Sequence, residues 1–169
     1  MSGHIFINGG TMSGKTYLAQ HLARAYQAKG FGTIVLDPMD DPSWSADRQF
    51  REMEPFLDCA YAATGCLLIV DEVGQTVGRS PVPRVEWLAT RARHWGHRVI
   101  FMGQDPVQVK PIIRDQCGEL FLFQVSAKKA ELWADNFADP ELLKASGLEK
   151  YQFIHKRRHE PCTIKKLKA

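Results

Sequence analysis

Five stretches of this chain are apolar almost without interruption, and the segments between them carry apolar residues three and four apart. The apolar runs are residues 4–8, 33–36, 66–70, 99–102 and 120–125, rich in Ile, Val, Leu and Phe. Runs of this length predict strands, and the lack of alternation predicts strands covered on both faces, as in a parallel sheet. Helical spacing follows the first strand over 17–26 and stops at Gly30 and Gly32. A second helix is predicted to open at Asp40-Asp41-Pro42-Ser43 and to run through Trp44, Phe50, Met53, Phe56, Leu57 and Tyr61, with Pro55 kinking or splitting it. Residues 74–83, with two glycines and two prolines, read as a loop, and about 84–95 as a helix.

Beyond the fifth strand the rhythm changes. Residues 128–137 predict a helix with Leu132, Trp133 and Phe137 on one face. A short helix follows from Asp139 to Gly147, then a hairpin of residues 151–154 and 162–164. The alternation predicts a three-layer α/β fold, a mainly parallel five-stranded sheet with a small C-terminal hairpin. With no repeat or linker, residues 1–169 read as one domain, its core at about 1–137 and its C-terminal helices and hairpin at about 138–169.

Composition narrows the picture little. The chain has 169 residues, 44% hydrophobic and 24% charged, with a net charge of +3 that permits contact with nucleic acid without requiring it. Cys59, Cys66, Cys117 and Cys162 form no C-x-x-C pair, which argues against a zinc ribbon or a disulfide framework and fits a reducing cytoplasm. The chain enters a core strand at once, so no signal peptide is expected, and no apolar run nears the roughly 20 residues of a membrane span.

The chemistry begins at the end of the first strand. Gly9-Gly10-Thr11-Met12-Ser13-Gly14-Lys15-Thr16 matches G-x-x-x-x-G-K-[ST], between a strand and a helix, where such a loop binds phosphate. Backbone N–H groups and the helix N-terminus attract the anion, and glycine lets the chain come close. Lys15 adds a full charge, and the Thr16 hydroxyl is suited to Mg²⁺. The third strand, Leu67-Leu68-Ile69-Val70, ends in Asp71-Glu72. Asp71 is the candidate Mg²⁺ ligand, and Glu72 the candidate base or water-orienting group. Gln104 ends the next strand and is the candidate γ-phosphate sensor. Upstream, Arg91 and Arg93 are either a solvated helix face or a source of charge for a transferring phosphoryl group.

The string from Val70-Asp71-Glu72, through Arg91-Ala92-Arg93-His94-Trp95-Gly96, to Gly103-Gln104-Asp105-Pro106 resembles the FtsK/HerA superfamily of P-loop ATPases, the viral genome-packaging members most of all. Residues 111–126 match the family's last core strand and its approach, and the resemblance extends over about 5–137. It implies an additional-strand, RecA/FtsK-like core, with the strand of Gln104 between the P-loop strand and the acidic strand. It implies ATP hydrolysis with Mg²⁺ coupled to translocation of double-stranded DNA into a capsid, in the host cytoplasm or on the virion. The partners it implies are a homo-oligomeric ring, hexamer or pentamer, and a capsid or portal-vertex protein. Carried over, Lys15, Glu72 and Gln104 are catalytic, and Arg93 is the best match to an arginine finger supplied by a neighbour, with Arg91 and Arg114 in reserve.

Two other readings stand beside this one. An NTP-switched virion-assembly factor would share the same loop, and so would a nucleoside-type kinase, although the kinases with this loop carry paired zinc cysteines. For DNA contact the sequence offers Arg79 in the 75–80 loop, and a basic tail of Lys156, Arg157, Arg158, His159, Lys165, Lys166 and Lys168 that also reads as a solvated hairpin. Trp44, Trp87, Trp95 and Trp133 read as core or subunit-interface residues.

Overall fold

The computed structural model describes residues 3–76 and 83–168. One eight-stranded sheet runs through the centre, in the order β3-β2-β4-β5-β1-β6-β7-β8. Its strands are β1 (His4–Asn8), β2 (Gly32–Leu36), β3 (Arg48–Phe50), β4 (Cys66–Val70), β5 (Arg98–Gly103), β6 (Cys117–Phe123), β7 (Gln152–Arg157) and β8 (Thr163–Lys166). The first six are mutually parallel, and β7 and β8 pair antiparallel beyond β6. β5 lies between β1 and β4, the arrangement expected of the additional-strand class.

The helices are α1 (Lys15–Ala28), α2 (Met53–Ala62), α3 (Val73–Thr76), α4 (Pro83–Thr90), α5 (Pro111–Asp115) and α6 (Ala127–Phe137), with 3-10 turns at Ala92–Trp95, Pro106–Gln108 and Pro140–Gly147. They divide between the two faces of the sheet. Ile5, Ile7, Leu67, Ile69, Ile100, Met102, Phe121 and Phe123 pack with Leu18, Ala19 and Ala23 of α1. Phe6, Leu68, Val70, Phe101, Leu120 and Leu122 pack with Phe56 and Leu57 of α2, Leu88 of α4, Ile113 of α5 and Trp133 of α6. Alternate residues of each central strand therefore enter different cores, which is why these strands are apolar at every position.

The structure departs from the sequence reading at the left edge of the sheet. The segment 40–52, predicted as the start of a helix, is a loop followed by β3, and α2 starts only at Met53. The Asp47 carboxylate accepts a hydrogen bond from Thr33 N at 2.7 Å, and this tether brings residues 48–50 alongside β2. Pro55 lies in the first turn of α2, where a missing N–H costs no hydrogen bond, so it neither kinks nor splits the helix. Of the loop predicted over 74–83, residues 74–76 are helical and 77–82 lie outside the described residues, and the helix predicted over 84–95 is divided between α4 and the Ala92–Trp95 turn, which ends at Gly96 in the left-handed region (φ 78°). The C-terminal hairpin extends the main sheet, and together with β3 it gives eight strands rather than five plus a separate pair. No described helix is long and apolar enough to cross a membrane.

Candidate functional site

Because β2, β4, β5 and β1 are parallel neighbours, their C-terminal ends share one edge of the sheet. The register sets Leu36 beside Val70, Val70 beside Phe101 and Asn8 beside Gly103. Asp37, Asp71-Glu72, Gln104 and the phosphate-binding loop therefore emerge together, although residues 8 and 104 are far apart in the chain.

The loop has the conformation its glycines allow. Met12 (φ 62°) and Gly14 (φ 108°) are left-handed. A Cβ on Gly9 would stand 2.7 Å from Phe123 Cβ and from Ser13 Oγ, and one on Gly14 would strike the Leu167 side chain. Gly10 meets nothing within 4 Å, so it is a glycine by choice rather than by steric need. α1 starts at Lys15 with no side-chain cap, which leaves its first N–H groups to an anion. Thr11, Met12, Ser13 and Thr16 border this helix start, and Thr16 is half-buried in the first turn.

Lys15 is buried, and its Nζ donates to Gly9 O at 2.8 Å and Gly10 O at 2.9 Å. Burial lowers its pKa, opposed by the negative charge of Glu72 and Asp71. Asp71 shows the converse. Burial, helped by the nearby Glu72 and Asp37 charges, raises its carboxyl to about 6, against the hydrogen bond that Glu72 N donates to Oδ1 at 2.8 Å. Asp37 is buried and accepts from Met39 N, Asp41 N and Trp44 Nε1 at 2.9, 2.9 and 3.2 Å.

A desolvated acid beside two other acids is the kind of donor a hard cation takes, and the Thr16 hydroxyl stands in the first turn of α1. The described residues contain no cluster of three or more His, Cys, Asp or Glu placed to cage a metal. Mg²⁺ needs no such cage, since it takes one or two carboxylates and completes its shell with water and phosphate. Thr16 and Asp71 fit it. Glu72 has φ 52°, a left-handed backbone that is costly for a long side chain and tends to persist at functional sites.

Gln104 is exposed at the end of β5. Its backbone oxygen accepts from Asn8 Nδ2 at 3.1 Å and from Lys129 Nζ at 3.1 Å. Asn8 also donates to Gly103 O at 2.7 Å and accepts from Trp133 Nε1 at 2.8 Å. Sequence reasoning missed three residues here. Asn8 is only the end of the first apolar run, Asp37 lies just past the second, and Lys129 lies unremarked in the helix predicted over 128–137. Lys129 lies near enough to Lys15 for its charge to lower the Lys15 pKa. The one local hint was that each polar residue closes an apolar strand or follows the N-cap of the next helix, Ser126.

The arginines lie elsewhere. Arg93, exposed in the Ala92–Trp95 turn, lines a pocket with Gly3, His4, His97 and Arg98 at the N-terminal ends of β1 and β5. Arg91 precedes that turn, and Arg114 sits in α5 just before β6 begins. All three are at the opposite end of the strands from the loop of their own chain. Arg79 is outside the described residues.

Part of the basic tail is structural. Lys156 is buried and pairs with Asp139 at 2.9 Å. Arg158 bonds Cys117 O, Asn136 O and Asn136 Oδ1 and stacks 4.1 Å over the Phe137 ring. Trp44, Trp87 and Trp133 are buried and Trp95 half-buried, as a core role requires.

The family described as Zonular occludens toxin (Zot) matches residues 22–129. The genome packaging NTPase B204 of Sulfolobus turreted icosahedral virus 2, in complex with AMPPCP, superposes with a TM-score of 0.81 at 18% identity, over 97% of this chain and 96% of that one. The cytoplasmic domain of the type VII secretion ATPase EccC of Thermomonospora curvata gives 0.73 at 14% identity, over 97% and 25%. VirB4 of Thermoanaerobacter pseudethanolicus gives 0.69 at 10% identity, over 98% and 89%. No curated protein matches. The resemblance to FtsK/HerA-like P-loop ATPases, drawn from the residues, is borne out in the fold.

Proposed function

We propose, for a chain that belongs to the Zonular occludens toxin (Zot) family, that it is a P-loop ATPase that works as a homo-oligomeric ring and couples ATP hydrolysis to movement of double-stranded DNA into a capsid. The observation that carries the reading is the meeting of Lys15, Asp71, Glu72 and Gln104 at one sheet edge, on the ends of β1, β4 and β5. The fold shared with a genome packaging NTPase supports it.

The loop amides and Lys15 hold the β- and γ-phosphates. Thr16 and Asp71 would hold Mg²⁺, which when bound offsets charge on the phosphate oxygens. Glu72 orients the attacking water and takes its proton, and Gln104 contacts the γ-phosphate region. Arg93 serves a neighbour's site. That assignment requires its position in this chain, at the far end of the strands, since an arginine there cannot reach its own loop.

The test is steady-state ATP hydrolysis by the purified chain, with and without long double-stranded DNA, at low and moderate salt. Stimulation by DNA that weakens with salt supports the translocase. Turnover that ignores DNA at either salt shifts the reading to an NTP-switched assembly factor with the same site.

A further inference from the structure

The phosphate loop has one side occupied by chemistry and another side occupied by aromatic surface. On the β5 and β4 side stand Gln104, Asp71 and Glu72. On the β6 to β8 side stand Tyr151, which leads into β7, and Leu167, which follows β8. The groups that act on a terminal phosphate are all on the first side. A nucleotide seated on the loop therefore has its γ-phosphate toward β4 and β5, and its other end leaves over β6 to β8.

A cleft waits on that second side. A cavity of about 270 Å³ is lined by residues 12–17 and Tyr151. It shares Gly14, Tyr17 and Tyr151 with a second cavity of about 340 Å³, whose remaining lining is Leu167 and Lys168. The second volume falls in the roughly 300–1,000 Å³ range of small-molecule sites. Tyr17 and Tyr151 leave 48% and 42% of their surface exposed beside the loop. The last strand is fastened over the cleft. Leu167 N donates to Tyr151 O at 2.9 Å, Tyr17 Oη donates to Lys168 O at 3.2 Å, and the Leu167 side chain closes on Gly14. Lys150 Nζ, 5.0 Å from the Tyr151 ring centroid, keeps the rim positive.

We infer that this cleft is the nucleobase subsite: the base of a bound nucleoside triphosphate stacks on Tyr17 and Tyr151 and is walled by Leu167. The inference rests on the nucleotide-binding reading of the loop and adds to it a base-recognition mode. Among the described residues the cleft is lined by no Asn, Gln, Asp or Glu side chain. It holds an aromatic face, which every base offers, rather than a hydrogen-bonding edge. ATP and GTP should accordingly bind within a few-fold of each other.

The test compares three probes on the full chain by calorimetry with Mg²⁺: AMPPCP, the corresponding GTP analogue, and inorganic tripolyphosphate. Tyr151 has φ 67°, so Tyr151→Asn removes the ring while keeping a residue that accepts this backbone. The expected result is about tenfold weaker AMPPCP binding, unchanged tripolyphosphate binding, and recovery in Tyr151→Phe. Unchanged AMPPCP binding overturns the subsite, and so do equal losses for both ligands, since those would make Tyr151 a support of the loop. A preference between the two bases above about a hundredfold also overturns it, because stacking alone cannot supply that. Wild-type protein that binds tripolyphosphate but gains nothing from the base refutes the subsite while leaving the loop intact. Protein that binds none of the three refutes the nucleotide reading itself. Photolabelling of wild-type protein with 2-azido-ATP needs no variant: label on peptides holding Tyr17 or Tyr151 supports the subsite, and label confined to the β2 and β4 side sinks it.

Discussion

Trp133 Nε1 donates to Asn8 Oδ1 at 2.8 Å, a buried bond that ties α6 to the last residue of the phosphate-loop strand across 125 positions of sequence. The same amide donates to Gly103 O and Gln104 O, so one side chain aligns β1, β5 and α6 under the site. Replacing Asn8 by Leu leaves the Trp133 N–H buried without an acceptor and frees the end of β5. A loss of about 1–3 kcal/mol is expected, read as a lowered urea midpoint with unchanged slope, together with slower ATP turnover.

Glu72→Gln keeps the shape of the site and removes the proposed base. Nucleotide affinity should stay within about threefold of wild type while turnover falls about a hundredfold or more. Lys15→Ala should instead lose binding. Normal turnover in Glu72→Gln would remove this residue from the mechanism.

Arg93→Ala should be inactive alone and should fold normally, because Arg93 is exposed. Its site is intact, and Glu72→Gln chains keep their arginine. Mixing the two variants should restore part of the activity, with a maximum at intermediate ratios. Absence of rescue at every ratio would rule out a role in trans.

Acid should destabilise the fold in two steps. His4 is buried, and its Nδ1 accepts from Val99 N at 3.1 Å, which requires an unprotonated nitrogen. Burial, then the charge of Arg98, lowers its pKa to about 4 from 6.5. The unfolded chain binds this proton first, so stability is whole above pH 6.5 and falls by up to about 3 kcal/mol as pH drops to 4. Glu119 follows. Burial alone would raise its carboxyl, but the hydrogen bond from His155 at 2.6 Å and the Arg98 guanidinium at 2.7 Å outweigh this and hold it at about 2. Its contribution is complete above about pH 4.5 and disappears toward pH 2. Asp71, its carboxyl raised to about 6, works in the opposite sense between about pH 6 and 4, so the check is made in an Asp71→Asn background: urea midpoints at pH 7, 5 and 3 follow both steps there, and a midpoint that does not move between pH 7 and 5 would contradict the first.

The sequence by itself determined what depends on near neighbours. The loop from Gly9 to Thr16, the apolar strands, the acids closing β4 and the glutamine closing β5 are each legible within a dozen residues, because strand burial and loop curvature are written in local pattern. Tertiary structure decided what depends on register between distant strands. Residues 48–50 carry no strand signal of their own and pair with β2 where the Asp47 carboxylate bonds Thr33 N and Asp37 N donates to Phe50 O. Asp37 joins Asp71 because β2 and β4 are neighbours, Lys129 reaches Gln104 because β6 lies beside β1, and Tyr151 meets Tyr17 because β7 continues the sheet past β6. Spacing along a chain cannot report which strands will touch, and the far-end position of Arg93 is a fact of the same kind.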